Sequence, residues 1–214
     1  MNDLVRYHIA RPGIPLAPIE AGLYEYILAG NGIFIRAERK EFRAQFCIQP
    51  FEVRGLLDLE PFVEMKTPHV SSDLVSEMLR RARTARDAEE KPCEIVFHLE
   101  YASEQWQCHV PEQTQSPMSA KPKDDAPDST YARACIEVHS HVDMHASFSQ
   151  TDDDDEQGCR VYAVIGCIST SPVIRVRVGL YGYRHDIPAS WVFDLPPWIG
   201  DAVTGEGTLQ GLLR

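Results

Sequence analysis

The chain has 214 residues, with 21 Lys and Arg against 32 Asp and Glu, a formal charge of −11. Hydrophobic residues make up 43% and charged residues 25%, ordinary globular usage that excludes wholesale disorder. The acidic balance argues against an electrostatic nucleic-acid binder or a protein docked on anionic lipid.

Residues 22–48 alternate apolar and polar positions, with Tyr24, Tyr26, Leu28, then Ile33, Ile35, then Phe42, Ala44 and Phe46 on one phase. This is the strand period of two. Asn31-Gly32 between two such runs predicts a hairpin turn with positive φ at both residues. The Glu38–Glu41 break predicts a third strand, making a meander. Residues 1–66 therefore read as a small β-rich unit without a chemical motif, and Pro50 and Pro61 limit any long element in its second half.

From Pro68 the pattern changes. Ser71, Ser72 and Asp73 can cap a helix over 73–86, whose Leu74, Val75, Met78, Leu79 and Ala82 have helical spacing. Its Arg80, Arg81, Arg83 and Arg86 read as a solvated face near the C-terminal end of the dipole. Residues 94–99 read as a buried strand, with 106–110 its neighbour. Residues 111–130 hold four prolines and almost no bulky apolar group, which predicts a flexible insert. Strands are expected over 132–141, 160–168, 173–183 and 191–195, with a short helix or turn over 152–158. The C-terminal stretch over 201–214 is Gly-rich and is expected to be loose. The domain reading is thus 1–66, 67–199 and a tail over 200–214.

The six cysteines, at 47, 93, 108, 135, 159 and 167, show no CxxC spacing, so neither a zinc ribbon nor a thioredoxin-type centre is signalled. The first residues lack the apolar core of a signal peptide, and no apolar run approaches the length of a membrane-spanning helix. Reduced thiols in a cytoplasm are the expectation.

One segment carries chemistry: His139 and His141 at the end of a strand, then Ser149 and Asp152 at the start of a helix. Residues two apart on a strand share a face, so both imidazoles can reach one ion, with Asp152 as an anionic third ligand. Two His and one carboxylate leave a fourth tetrahedral position for water, the layout of a catalytic rather than a structural zinc. Two His, a Ser and an Asp at four fixed offsets arise by chance in on the order of one chain in a thousand. Ser149 to Asp152 also fits a helix capping box, which leaves Asp153 as an alternative ligand, and a residue can cap and ligate at once. His145, two strand steps beyond His141, is a candidate extra ligand but reads rather as a solvated loop histidine. Cys135 and Cys159 read as buried thiols, Asp153, Asp154 and Asp155 as a solvated face, and Trp106 and Trp191 as core.

HxH, seven residues, Ser, two residues, Asp resembles the signature of the JAMM (JAB/MPN+) zinc metalloproteases, in the bacterial Prok-JAB type. The resemblance covers about 68–197. The segments GLYEYILAGNG, HSHVDMHASFSQTDDDDE and RVRVGLYGY further resemble the accessory-element branch called PRTRC system protein A. The fold implied is α/β (α+β), a cytidine-deaminase-like JAB/MPN domain with a mixed β-sheet flanked by helices, beside the β-rich N-terminal region. The family places a catalytic Glu at a helix–strand junction before HxH, which falls on Glu94, with Glu137 and Glu100 as rivals. Glu137, on the strand face of His139, could instead orient a ligand His. The implied site has His139, His141 and Asp152 on Zn²⁺, Glu94 as general base then acid, and Ser149 as oxyanion donor. The implied activity is hydrolysis of a peptide or isopeptide bond at the C-terminus of a ubiquitin-like or sulfur-carrier-like protein, with an E1-like partner. The alternatives are a non-catalytic MPN scaffold that retains its metal site, and an unrelated metal-binding regulator.

Overall fold

The computed structural model describes residues 3–123 and 126–203. Two sheets dominate it. The first runs in the order β1 (Val5–Ile9), β2 (Tyr24–Ala29), β3 (Gly32–Glu38), β4 (Phe42–Pro50) and β5 (Phe62–Met65). The expected meander is β2–β3–β4. β1 joins it in parallel with β2, and β5 antiparallel to β4.

The turn between β2 and β3 differs from the expectation by one residue. Gly30 and Asn31 occupy it, and of the pair Asn31-Gly32 only Gly32 has positive φ, at 143°. The reason is the returning loop over 51–61. Asn31 Nδ2 donates to the Leu59 carbonyl at 2.8 Å and Oδ1 accepts Leu59 N at 3.0 Å. A Cβ on Gly30 would lie 2.7 Å from the Leu56 carbonyl oxygen. Asn31 is used here for its side-chain amide, not for a left-handed backbone.

The second sheet contains β6 (Val96–Ala102), β7 (Gln105–His109), β10 (Ile136–Ser140), β11 (Cys159–Gly166), β12 (Val173–Leu180), β13 (Tyr183–Ile187) and β14 (Gly200–Asp201). Its main order is β13-β12-β11-β10-β6-β7, with β14 paired to β12. The sheet is mixed: β10–β11 and β12–β14 are parallel and the other pairs antiparallel. The run expected as one strand over 173–183 is two, turned at Tyr181 and Gly182, both of positive φ. Residues 191–195 form no strand. A 3₁₀ turn over Ala189–Trp191 is followed by a single bridge from Phe193 to Val70. Of the expected tail, 200–201 are tied into the sheet as β14, and 204–214 lie outside the described residues.

One face of this sheet is apolar. Phe97, Leu99, Ile136, Val138, Val161, Ala163, Val176 and Val178 are fully buried against helix α1 (Ser72–Thr84) and the inner residues of β3 and β4. α1 buries the expected stripe Val75, Met78, Leu79 and Ala82, and Ser71 Oγ caps it by accepting Leu74 N at 3.4 Å. The two sheets thus share one core.

Within the segment expected as a flexible insert, β8 (Gln113–Ser116) and β9 (Ser119–Pro122) pair as a hairpin, residues 124–125 lie outside the described residues, and a helical turn, α2 (Thr130–Arg133), begins at its end. Glutamine amides substitute for apolar packing. Gln113 pairs with both backbone groups of Val96, at 2.8 and 3.2 Å, and Gln115 Nε2 donates to the Glu94 carbonyl at 2.7 Å.

A polar latch also fastens the sheets. Arg39, in the β3–β4 turn, donates to the Cys159 carbonyl at 2.9 Å and the Ala134 carbonyl at 3.3 Å. Its Nε is held at 2.8 Å by Glu41, whose side chain is 1% exposed. Removing the cation leaves that buried carboxylate with only the exposed Lys40 amine, 3.3 Å from its other oxygen. Arg39→Ala is expected to cost about 2–3 kcal/mol in urea unfolding, and Arg39→Ala with Glu41→Gln clearly less. Equal losses would refute the latch.

Candidate metal centre

The apolar face described above implies an opposite face, and register fixes its contents. Cross-strand partners place His98 (β6), Glu137 (β10), Tyr162 (β11), Arg177 (β12) and Asp186 (β13) in one row. His139 stands one step further along β10, beside Val96 and Val164. Along β10, Ile136, Val138 and Ser140 are buried while Glu137 and His139 are half-buried, the alternation that the strand period requires.

Ser140 ends the strand one residue after His139, and His141 N extends the ladder by donating to the Ile165 carbonyl at 2.8 Å. The two rings lie 5.1 Å apart, centroid to centroid, with Nε2 atoms 3.3 Å from each other. His141 Nδ1 is 2.9 Å from the His145 carbonyl oxygen, so Nδ1 carries the proton and Nε2 keeps its lone pair. The loop that supplies this carbonyl is pressed onto Gly166, where a Cβ would lie 2.3 Å from Ala146 N. His145 thus acts through its backbone, a role no sequence signal marked, while its Nδ1 lies 3.8 Å from Cys167 Sγ.

Chain direction brings in the third donor. Helix α3 (Gln150–Asp155) follows the loop and starts with the expected capping box: Ser149 Oγ accepts Asp152 N at 3.3 Å, and Asp152 Oδ2 accepts Ser149 N at 2.5 Å. Ser149 Oγ also donates to Oδ2 at 2.7 Å. The other oxygen, Oδ1, is 3.6 Å from His139 Nε2. Burial raises the Asp152 carboxyl, but His139 and the Ser149 bonds outweigh it and hold it below its ordinary value. Burial lowers His139 and favours neutral imidazole, against the pull of Asp152.

The donor chemistry fits a zinc ion. Bonds of about 2.0–2.1 Å at a tetrahedral centre separate neighbouring donors by about 3.3–3.4 Å. The His139–His141 spacing has that length, and the His139–Asp152 spacing is close to it. Among the described residues no group of three or more His, Cys, Asp and Glu is already gathered as a metal-holding set. Both short spacings instead share His139 Nε2.

Glu94 sits in the segment that enters β6, pinned by its backbone: its N donates to the Ser116 carbonyl at 3.0 Å. The residue is 4% exposed and its Oε1 is buried without a hydrogen-bond partner. Burial, then the Asp152 charge, pushes its pKa up to about 7. The rivals are engaged elsewhere. Glu137 faces His98 Nε2 at 3.4 Å, and Glu100 accepts Arg133 Nε at 2.9 Å. Asp153, expected as solvated, instead meets Arg177 at 2.9 Å. Cys135 and Cys159 have thiols that burial pushes up to about 12. The Arg cluster is paired as well as solvated: Arg80 and Arg81 bind Glu77, and Arg83 Nε donates to the Ile168 carbonyl at 2.7 Å.

Residues 71–178 match the family described as prokaryotic homologs of the JAB domain. The match spans half of the chain, and the chain belongs to this family. No curated protein matches it.

The Glu94 environment makes a sign-definite prediction for metal-free protein. The carboxyl titrates near 7 when folded against an ordinary 4.5, so the folded state binds the extra proton between those values. Stability attached to this group is full below about pH 4.5 and lost as pH rises through 7. Glu94→Gln should therefore raise the melting temperature near pH 8 and leave it almost unchanged near pH 4.5. An equal shift at both would show that burial of charge is not the cause.

Proposed function

We propose that the chain is a zinc-dependent peptidase or isopeptidase. The observation that carries this reading is His139 Nε2 placed 3.3 Å from His141 Nε2 and 3.6 Å from Asp152 Oδ1, together with a buried, unpartnered Glu94 oxygen. His139, His141 and Asp152 would hold the ion. Bound there, zinc supplies Lewis-acid polarisation of the scissile carbonyl and a lowered pKa for the attacking water.

The chain's own groups do the rest. Glu94, poised near neutral pH, takes a proton at its free oxygen from the attacking water and returns it to the leaving amine. Ser149 is the donor for the oxyanion of the tetrahedral intermediate. Its single proton is directed at Asp152 Oδ2, so that role requires the hydroxyl to rotate when substrate arrives.

The substrate is read from the resemblance to the accessory-element branch: the C-terminus of a ubiquitin-like or sulfur-carrier-like protein, with an E1-like enzyme as partner. No described helix is long and apolar enough to cross a membrane, and all six cysteines are free thiols, which suits a cytoplasmic setting. The alternative, a non-catalytic scaffold that keeps its donors, has the engaged Ser149 proton in its favour.

Elemental analysis and turnover separate the two. Stoichiometric zinc is expected in the wild type and its loss in His139→Ala. With a ubiquitin-like fusion as substrate, Glu94→Gln should keep the zinc and lose about 10²–10⁴-fold in kcat. Ser149→Ala should lose about 10²–10³-fold. A wild type with full zinc and no hydrolysis supports the scaffold, and a wild type that takes up no metal refutes both.

A further inference from the structure

Two candidate donors of the site come from β10 and the loop it enters, but Ser149 and Asp152 belong to a six-residue helix and its cap, and that helix buries no residue of its own. Helices this short do not hold themselves in water. Something outside α3 must fix it against the sheet.

A strand two places from β10 in the sheet supplies it. Arg177 on β12 is 7% exposed and reaches three points around the site. Its Nε and Nη2 both lie 2.6 Å from Glu156 Oε2, and its Nη1 is 2.9 Å from Asp153 Oδ1. Its guanidinium carbon sits 3.7 Å from the centroid of the Phe148 ring. Phe148 immediately precedes the cap, and its ring meets that of His139 edge to face at 6.4 Å. The Arg184 Nη2 donates to the Asp153 carbonyl from β13, reinforcing the same end.

The geometry points to Arg177 as the positioning residue of the metal centre. It grips the chain on both sides of Ser149 and Asp152, at Phe148 before them and at Asp153 and Glu156 after them. The planar guanidinium can stack on a ring and bind two carboxylates at once, which an ammonium cannot. With both flanks held, Asp152 has one place to stand relative to His139. Without them, the two histidines stay on the sheet while the carboxylate drifts. This inference rests on the zinc reading above, but its mechanical half does not.

Two measurements test it. In metal-free protein, hydrogen exchange should quicken over 148–156 in Arg177→Ala and stay unchanged in β10. In loaded protein, competition with a chelator should show the zinc dissociation constant rising about 10–100-fold, the range for residues that orient a ligand. Arg177→Lys should fall between wild type and Arg177→Ala. Arg175→Ala, on the same strand but paired with half-exposed Asp186, should change neither reading. If Arg177→Ala does not fold, Phe148→Leu leaves the buried charges in place and should shift both readings in the same direction. Unchanged exchange over 148–156 in the folded variants overturns the inference. A wild type that binds no zinc overturns the functional reading instead, and the exchange arm still decides the role of Arg177.

Discussion

Parallel pairing of two consecutive strands is the constraint on which the site depends. β10 and β11 run side by side in the same direction, from Ile136 against Val161 to Ser140 against Ile165. An antiparallel pair could be closed by a tight turn, but a parallel pair obliges the chain to travel back along the whole strand. That return is made by residues 141–158, and it begins just after His139 and Ser140, the last two residues of β10. The loop therefore passes the imidazoles before α3 can start, and Ser149 and Asp152 meet them at the carboxyl end of β10. Sites in mixed and parallel sheets gather at such ends for this reason.

A sheet with a returning connection on one face has two unlike faces, and the energetics follow. The α1 face is mainly aliphatic and aromatic, with the buried Ser140 hydroxyl accepting Ile95 N, and it joins the core under β3 and β4. The other face carries a row of ionisable groups, of which His98, Tyr162 and Arg177 are buried and Glu137 and Asp186 half-buried. Burying charge is costly unless it is paired, so the row is organised as contacts between neighbours: His98 with Glu137, Arg177 with Glu156 and Asp153. Tyr162 lies over Gly179, where a Cβ would come within 2.7 Å of its ring. Glu94 Oε1 is buried without a hydrogen-bond partner, as are Glu41 Oε1 and Tyr162 Oη, and each such atom costs stability.

The legibility of the molecule follows the distance over which each part is encoded. His139, His141, Ser149 and Asp152 lie in one short stretch of chain, and the strand and helix periods that orient them are local, so the constellation is readable directly. α1 is equally plain from its stripe and cap. Arg177 is not readable, because only the β11–β12 and β10–β11 registers bring it beside Phe148, far earlier in the chain. The same holds for His98 opposite Glu137. The β8–β9 hairpin is hidden by composition: its prolines and polar residues resemble a loop, and its anchoring glutamines have no apolar period. β1 escapes the local pattern because its parallel partner, β2, begins only after the long loop over 10–23.

These parts combine into a division of labour along the sheet. The β3–β4 turn, with Arg39, grips the carbonyls of Ala134 and Cys159 beside the first residues of β10 and β11. The hairpin clamps Glu94 through its backbone and leaves the carboxyl untouched. Arg177 clamps α3 through its flanks and leaves Asp152 and Ser149 untouched. In each case the support is applied to a neighbour of the chemical group rather than to the group itself. The groups themselves divide their atoms in the same way: Asp152 gives Oδ2 to Ser149 and keeps Oδ1 toward His139, and His141 gives its Nδ1 proton to the His145 carbonyl and keeps Nε2 toward His139. The acidic run over 152–156 then has two physical roles in one short helix: Asp152 faces the imidazoles, while Asp153 and Glu156 face the arginines that hold it there.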